Sequence, residues 1–204
     1  MLRYAITDRS TLAATETERR QSLLAQAARW AIQGVAYIQM REKDLPSADL
    51  EYLARALSGV IRSTGTNTRL LINSNAEVAL AAGAEGVHLT SAPDALTPAE
   101  VRALFAHAGR PEPTISISCH TLEDVNRARE QQADLILFGP VFGKTVAGEL
   151  VVPPLGLEAL HAACLAAGDI PVLALGGVTP ANTPDCLAAG AAGAAGIRLY
   201  SSNG

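Results

Sequence analysis

Pro171-Val172-Leu173-Ala174-Leu175-Gly176-Gly177-Val178 is a short apolar run closed by two adjacent glycines. A run of this length bounded by turn residues reads as a buried strand. Two glycines at its end leave backbone N–H groups uncovered, a surface suited to phosphate, although the same pair also makes an ordinary tight turn. The place of the run in the chain decides between these readings.

Working back from it, a helix from Leu157 to Ala167 precedes the run, behind a longer loop from Gly139 to Gly156. Before that come strands at Asp134 to Phe138 and Thr114 to Ser118, joined by a helix that Thr121-Leu122-Glu123-Asp124 opens with an acidic capping box. Thr97-Pro98-Ala99-Glu100 supplies an N-cap, a proline at the first helical position and a capping glutamate after the strand Gly86 to Leu89. Further back lie strands at Arg69 to Ile72, Ala36 to Met40 and Arg3 to Thr7. They alternate with helices at Glu77 to Ala82, Ser47 to Thr64 and Thr15 to Gln33, two of which stop at Gly83 and Gly34. Forward, a short helix from Pro184 to Ala189 leads to a last strand, Ala194 to Leu199.

The glycine pair therefore ends the seventh of eight strands. Eight strands at about 25 residues apiece predict one α/β domain over residues 1–204, a single parallel (β/α)8 TIM barrel. A doubly wound open sheet would rarely need eight such regular units. Because Ser201-Ser202-Asn203-Gly204 follows the last strand directly, the closing helix is predicted to be missing or truncated.

With 49% hydrophobic and 18% charged residues, the chain has the balance of a soluble globular domain. A net charge of −4 with scattered basic residues argues against nucleic acid or a membrane surface as partner. Cys119, Cys164 and Cys186, an odd number at wide spacings, fit neither a disulfide framework nor a zinc-ligand cluster and predict a reducing, cytoplasmic setting. Neither a leader pattern nor a membrane-length apolar run is present. The sequence leaves a homo-oligomer open.

In such barrels chemistry sits at strand C-termini. Gln39, Arg41 and Lys43 share one phase after the second strand, which aims an amide and two cations at the barrel mouth; the alternative is a solvated loop with a surface ion pair through Glu42. Asn73-Ser74-Asn75 either orients a ligand or caps a helix. His88 is either a ligand contact or a satisfied core histidine. Ser116, Ser118 and His120 alternate in phase, so a serine and a histidine face inward to assist proton transfer, while Cys119 reads as buried and inert. Gly176, Gly177 and the stretch through Ile197 and Arg198 form the phosphate end.

The stretches Tyr4-Ala5-Ile6-Thr7-Asp8, Gln39-Met40-Arg41-Glu42-Lys43, Gly86-Val87-His88-Leu89, Ser118-Cys119-His120, Gly139-Pro140-Val141-Phe142 and Ala174-Leu175-Gly176-Gly177 together resemble the thiamine phosphate synthase and thiazole tautomerase family of compact barrels. The resemblance spans nearly the whole chain. It implies a transferase of thiamine biosynthesis that joins aminopyrimidine-methyl diphosphate to hydroxyethylthiazole phosphate and releases pyrophosphate. On it, Arg41 and Lys43 hold the diphosphate, Gln39 and Asn73 the pyrimidine, Ser118 the leaving-group side, and Gly177 with the Ile197 region the thiazole phosphate.

It also implies Mg²⁺, but the sequence departs from the family there. Asn73-Ser74 stands where the synthases resemble Asn-Asp, Pro93 stands at the second aspartate, and Asp94 comes one residue later. Lys144 and Thr145 sit in an altered register of the downstream loop, and Arg198 replaces a small hydroxyl residue. These departures keep two alternatives open. One is a thiazole tautomerase acting on a thiazole carboxylate phosphate with His120 as general base, and the other is a barrel that binds a phosphate ligand without turnover.

Overall fold

Three helix starts fall where threonine hydroxyls can take the amides that a first turn leaves without partners. Thr15, Thr97 and Thr121 accept from the amides of Glu18, Glu100 and Asp124, whose carboxylates reach back to close a capping box each time. A computed structural model describes residues 1–92, 94–146 and 149–200, with the backbone alone described at 144–146 and 149–151.

In chain order these residues form β1 (Leu2–Ile6), α1 (Glu16–Ile32), β2 (Tyr37–Met40), α2 (Ser47–Ser63), β3 (Arg69–Asn73), α3 (Ala76–Ala82), β4 (Gly86–Leu89), α4 (Pro98–His107) and β5 (Thr114–Cys119). There follow α5 (Leu122–Glu130), β6 (Leu135–Phe138), β7 (Lys144–Val146), β8 (Glu149–Val152), α6 (Gly156–Ala167), β9 (Val172–Leu175), α7 (Thr183–Ala188) and β10 (Gly193–Gly196). Eight parallel strands close a barrel in the order β1-β10-β9-β6-β5-β4-β3-β2, which is the predicted (β/α)8 architecture.

Strand register decides which side chains enter the barrel. Ile6 pairs with Gln39, Gln39 with Leu71, Asn73 with His88, His88 with Ser116, and Ser118 with Leu137, so all of these share the inner face. Tyr4, Ile6, Leu71, Leu135, Leu137 and Leu173 fill the interior. The opposite parity, including Ile38, Ile72, Val87, Ile115 and Ile136, packs under the helices. A shift of one residue would exchange the two sets, so register here is strongly specified.

The structure departs from the sequence reading in two places. The loop from Gly139 to Gly156 contains an antiparallel pair, β7 with β8. The last strand stops at Gly196 instead of Leu199, because the chain turns back there and Leu199 Cβ comes within 3.1 Å of where a Gly196 side chain would start. Ile197 and Arg198 thus lie past the strand end. Among the described residues no helix follows β10, and the expected truncation at 201–204 lies outside them.

Tyr200 occupies the seam instead. Its hydroxyl donates to Ala194 O at 2.8 Å, its carbonyl accepts from Trp30 Nε1 at 2.7 Å, and the Arg3 guanidinium sits 4.8 Å from its ring centre. No helix of the described residues is long and apolar enough to cross a membrane.

Candidate active site

The C-terminal ends of β2 to β5 bring side chains together. Gln39 Nε2 donates to Asn73 Oδ1 at 2.8 Å, while Gln39 Oε1, on a residue only 1% exposed, has no partner among the described residues. A buried acceptor left unmet is costly unless a ligand supplies the donor. The predicted alternatives for Asn73-Ser74-Asn75 separate cleanly. Asn73 joins Gln39 in the mouth, whereas Asn75 caps α3 by accepting from the Val78 amide at 2.9 Å. Ser74 adopts a left-handed backbone with φ 54° and donates its amide to His88 O at 2.8 Å.

His88 is a core histidine, 3% exposed, with both ring nitrogens taken by serines: Nδ1 lies 2.8 Å from Ser116 Oγ and Nε2 2.9 Å from Ser118 Oγ. Burial first, and then the positive charge of Arg41, pushes its pKa down to about 3. The ring is neutral at any physiological pH, and it meets the mouth through Ser118. His120 stands beyond the end of β5, exposed, with Nδ1 2.5 Å from Gly139 O. Donation from Nδ1 to that carbonyl leaves Nε2 as an acceptor. Cys119 is buried, and desolvation raises its thiol to about 12, which makes it inert at neutral pH.

Between the two cations after β2, Glu42 is turned away from both. Its carboxylate is buried, accepts from Thr7 Oγ1 at 2.5 Å, and pairs with Arg9 Nη1 at 3.0 Å. Arg9, itself 3% exposed, also binds Asp44 at 2.7 Å and Glu16 at 3.0 Å. Its guanidinium beside Asp44 and Glu16 holds both carboxyls below their usual range. The Thr7 hydroxyl in turn accepts from the Arg41 amide at 3.0 Å. Among the described residues neither Arg41 nor Lys43 has a carboxylate partner. The surface ion pair weighed from sequence is therefore not what Glu42 makes. Lys43 is exposed in the turn that follows.

Opposite these strands the site is made of backbone. Gly176 and Gly177 have φ of 89° and 68°, and a side chain would start 2.5 Å from Pro140 Cβ at the first and 2.7 Å from Phe142 Cβ at the second. The chain after β6 lies directly against them, with the Val141 amide on Leu175 O at 2.8 Å and the Phe142 amide on Gly176 O at 3.0 Å. The glycine carbonyls are thus occupied: Asn182 Nδ2 donates to Gly177 O at 3.1 Å. Among the described residues the amides of Gly177 and Val178 meet no protein acceptor. Arg198 is exposed after β10. The side chains of Lys144 and Thr145, and Pro93, lie outside the described residues.

Residues whose part in the site the sequence did not single out are Thr7, Arg9 and Tyr4, whose hydroxyl lies 2.9 Å from Ser116 Oγ. Only Tyr4 carried a usable signal, since its parity on β1 already placed it inside the barrel.

The family model described as thiamine monophosphate synthase matches residues 4–199. A putative thiamine-phosphate synthase of Geobacter sulfurreducens is 45% identical over 165 residues, 79% of this chain and 71% of that protein. A thiamine-phosphate synthase of Roseiflexus is 35% identical over 198 residues, 95% and 75% of the two chains. The solved structure of a thiamine phosphate pyrophosphorylase from Pyrococcus furiosus superposes with a TM-score of 0.78 at 25% identity, covering 99% of this chain and 88% of that one. A closed eight-strand barrel with this mouth and these relatives makes the chain a member of the thiamine monophosphate synthase family.

Proposed function

We propose that the barrel mouth joins aminopyrimidine-methyl diphosphate to hydroxyethylthiazole phosphate. The observation that carries this reading is the unmet buried acceptor Gln39 Oε1 at the end of β2, on the strand that runs directly into Arg41 and Lys43, two cations without carboxylate partners among the described residues. An aminopyrimidine supplies the N–H that Gln39 needs, and its diphosphate supplies the anion that Arg41 and Lys43 need. Loss of pyrophosphate concentrates negative charge on the departing oxygens, so fixed cations and donors beside them favour the transition state over the ground state. The thiazole nitrogen then captures the pyrimidine carbocation. The free amides of Gly177 and Val178, with Ile197 and Arg198 beyond β10, hold the thiazole phosphate across the mouth.

A magnesium ion is implied by the family. The donor set does not fit a site built by the protein: no group of three metal-ligating side chains exists among the described residues, position 74 carries a neutral hydroxyl, and Asp94 is exposed on its turn. No step above is therefore routed through a metal. Three unpaired cysteines suit a reducing cytoplasm.

The orientation of His120 favours one second reading, a proton shift on a thiazole carboxylate phosphate with Nε2 as base. The deciding experiment incubates the purified protein with both synthase substrates, with and without Mg²⁺, and in parallel with the thiazole carboxylate phosphate. Thiamine phosphate is the expected product. Its absence under every metal condition sinks the synthase reading; isomerisation that His120→Ala abolishes would put the second reading in its place. Turnover of either kind rules out a barrel that only binds.

A further inference from the structure

Below the mouth, four polar side chains touch in a row. Tyr4 Oη lies 2.9 Å from Ser116 Oγ, Ser116 Oγ lies 2.8 Å from His88 Nδ1, and His88 Nε2 lies 2.9 Å from Ser118 Oγ. Tyr4 Oη also stands 3.4 Å from His88 Nδ1. Tyr4 and Ser116 are fully buried and His88 nearly so, whereas Ser118 is partly exposed.

Heavy atoms alone leave the direction of such a row undecided. Counting its hydrogens settles it. Burial keeps the Tyr4 phenol protonated and the His88 ring neutral, so the row carries three O–H groups and one N–H. Suppose the hydrogens all point outward. Tyr4 then donates to Ser116, Ser116 to Nδ1 and Nε2–H to Ser118, every buried hydrogen has an acceptor, and the one left over belongs to Ser118 at the mouth.

Suppose instead that they point inward, from Ser118 to Nε2 and from Nδ1–H to Ser116. The hydrogen left over then sits on Tyr4 or Ser116, fully buried, with no acceptor among the described residues. That arrangement carries the full desolvation cost of a hydroxyl hydrogen, and the outward one carries none.

We infer that Tyr4 and Ser116 are positioning residues that fix the direction of this row, so that Ser118 stands at the mouth as a hydrogen-bond donor. Neither touches substrate. A donor suits the oxygen that leaves with the diphosphate, an application that rests on the synthase reading; the direction of the row does not.

The two residues back each other up. Without Ser116, Tyr4 Oη is still within reach of Nδ1; without Tyr4, the Ser116 hydroxyl still donates to it. Only removal of both leaves Nδ1 without a donor and lets the ring take either tautomer.

The first test is ¹⁵N NMR of the His88 ring in the wild-type protein, which should show the Nε2-protonated neutral tautomer throughout about pH 5 to 8. An Nδ1-protonated ring overturns the inference whatever reaction the protein catalyses. The second is kinetic. Tyr4→Phe and Ser116→Ala should each lower kcat by less than about threefold, and the double variant by more than about thirtyfold, with KM nearly constant and Ser116→Thr restoring activity in the Tyr4→Phe background. Merely additive losses, or losses in KM alone, also overturn it. If the double variant does not fold, or if the wild type has no synthase activity, the tautomer measurement still decides the direction of the row.

Discussion

The two halves of the barrel mouth are built from different material. From β2 to β5 the inner face ends in functional groups: Gln39, Asn73, His88 and Ser118, with Arg41 close to the imidazole. From β6 through β9 to β10 the same face carries Leu137, Leu173, Leu175 and Ala195, and what reaches the mouth is the backbone of Gly176 and Gly177. A side chain can be tuned in pKa and direction; a backbone amide offers one fixed donor. The first kind of surface suits a step in which charge moves, and the second suits a phosphate whose charge stays where it is.

The sharpest attempt to break this division is Arg41→Ala, expected to lower kcat/KM on the order of 10²-fold because a developing charge loses its fixed counterion. Steady-state kinetics checks it, and Arg41→Lys should recover part of the loss. A kcat/KM that stays within about threefold of wild type would remove Arg41 from the chemistry.

Next comes the protonation of His88. The unfolded chain takes up a proton near the ordinary value of 6.5, which the folded chain refuses until about pH 3. Stability from this group is full above about pH 6.5 and falls as pH drops towards the folded value. Urea unfolding should show the wild type losing about 2 kcal/mol more than His88→Asn between about pH 7 and about pH 5. Equal losses would mean that the imidazole already titrates in the folded state.

On the backbone side, Gly177→Ala places a methyl group 2.7 Å from Phe142 Cβ at a φ of 68°. It should raise KM for the thiazole phosphate about tenfold and cost about 1–2 kcal/mol of stability, with kcat held within about twofold. A fall in kcat instead of a rise in KM would show that the halves are not separable.

The smallest effect is expected at Asp94. Its replacement by Asn should change kcat/KM by less than about twofold at any Mg²⁺ concentration. Ser74→Asp sharpens the point, since aspartate accepts the left-handed backbone at least as readily as serine and should fold normally while strengthening the response to Mg²⁺.

Much of the barrel was legible because a buried parallel strand and an amphipathic helix have different periods, and because caps such as Thr97-Pro98-Ala99-Glu100 mark helix starts. The inward phase of Gln39, Ser116 and Ser118 was legible for the same reason: alternation on a strand is a statement about faces. The hairpin of β7 and β8 escaped because runs of three and four residues carry too little periodicity to separate from loop. The overlong last strand reflects the apolar Ile197 and Leu199, which continue the composition of a strand after its ladder has ended. The Arg9–Glu42 pair and the Tyr4–Ser116 contact join residues 33 and 112 positions apart, and no local pattern encodes such a meeting.

The burial of Glu42 has a consequence for how the chain tolerates change. Arg9 keeps a carboxylate out of reach of the cation next to it in sequence. Replace Arg9, and Glu42 keeps the Thr7 hydroxyl and the position-9 amide but loses its counterion, which leaves an uncompensated buried carboxylate one residue from Arg41 in every molecule. A substitution far from the substrate, in a turn after the first strand, would then read in kinetics as a weakened grip on diphosphate, and a second substitution of Glu42 by Gln would relieve it.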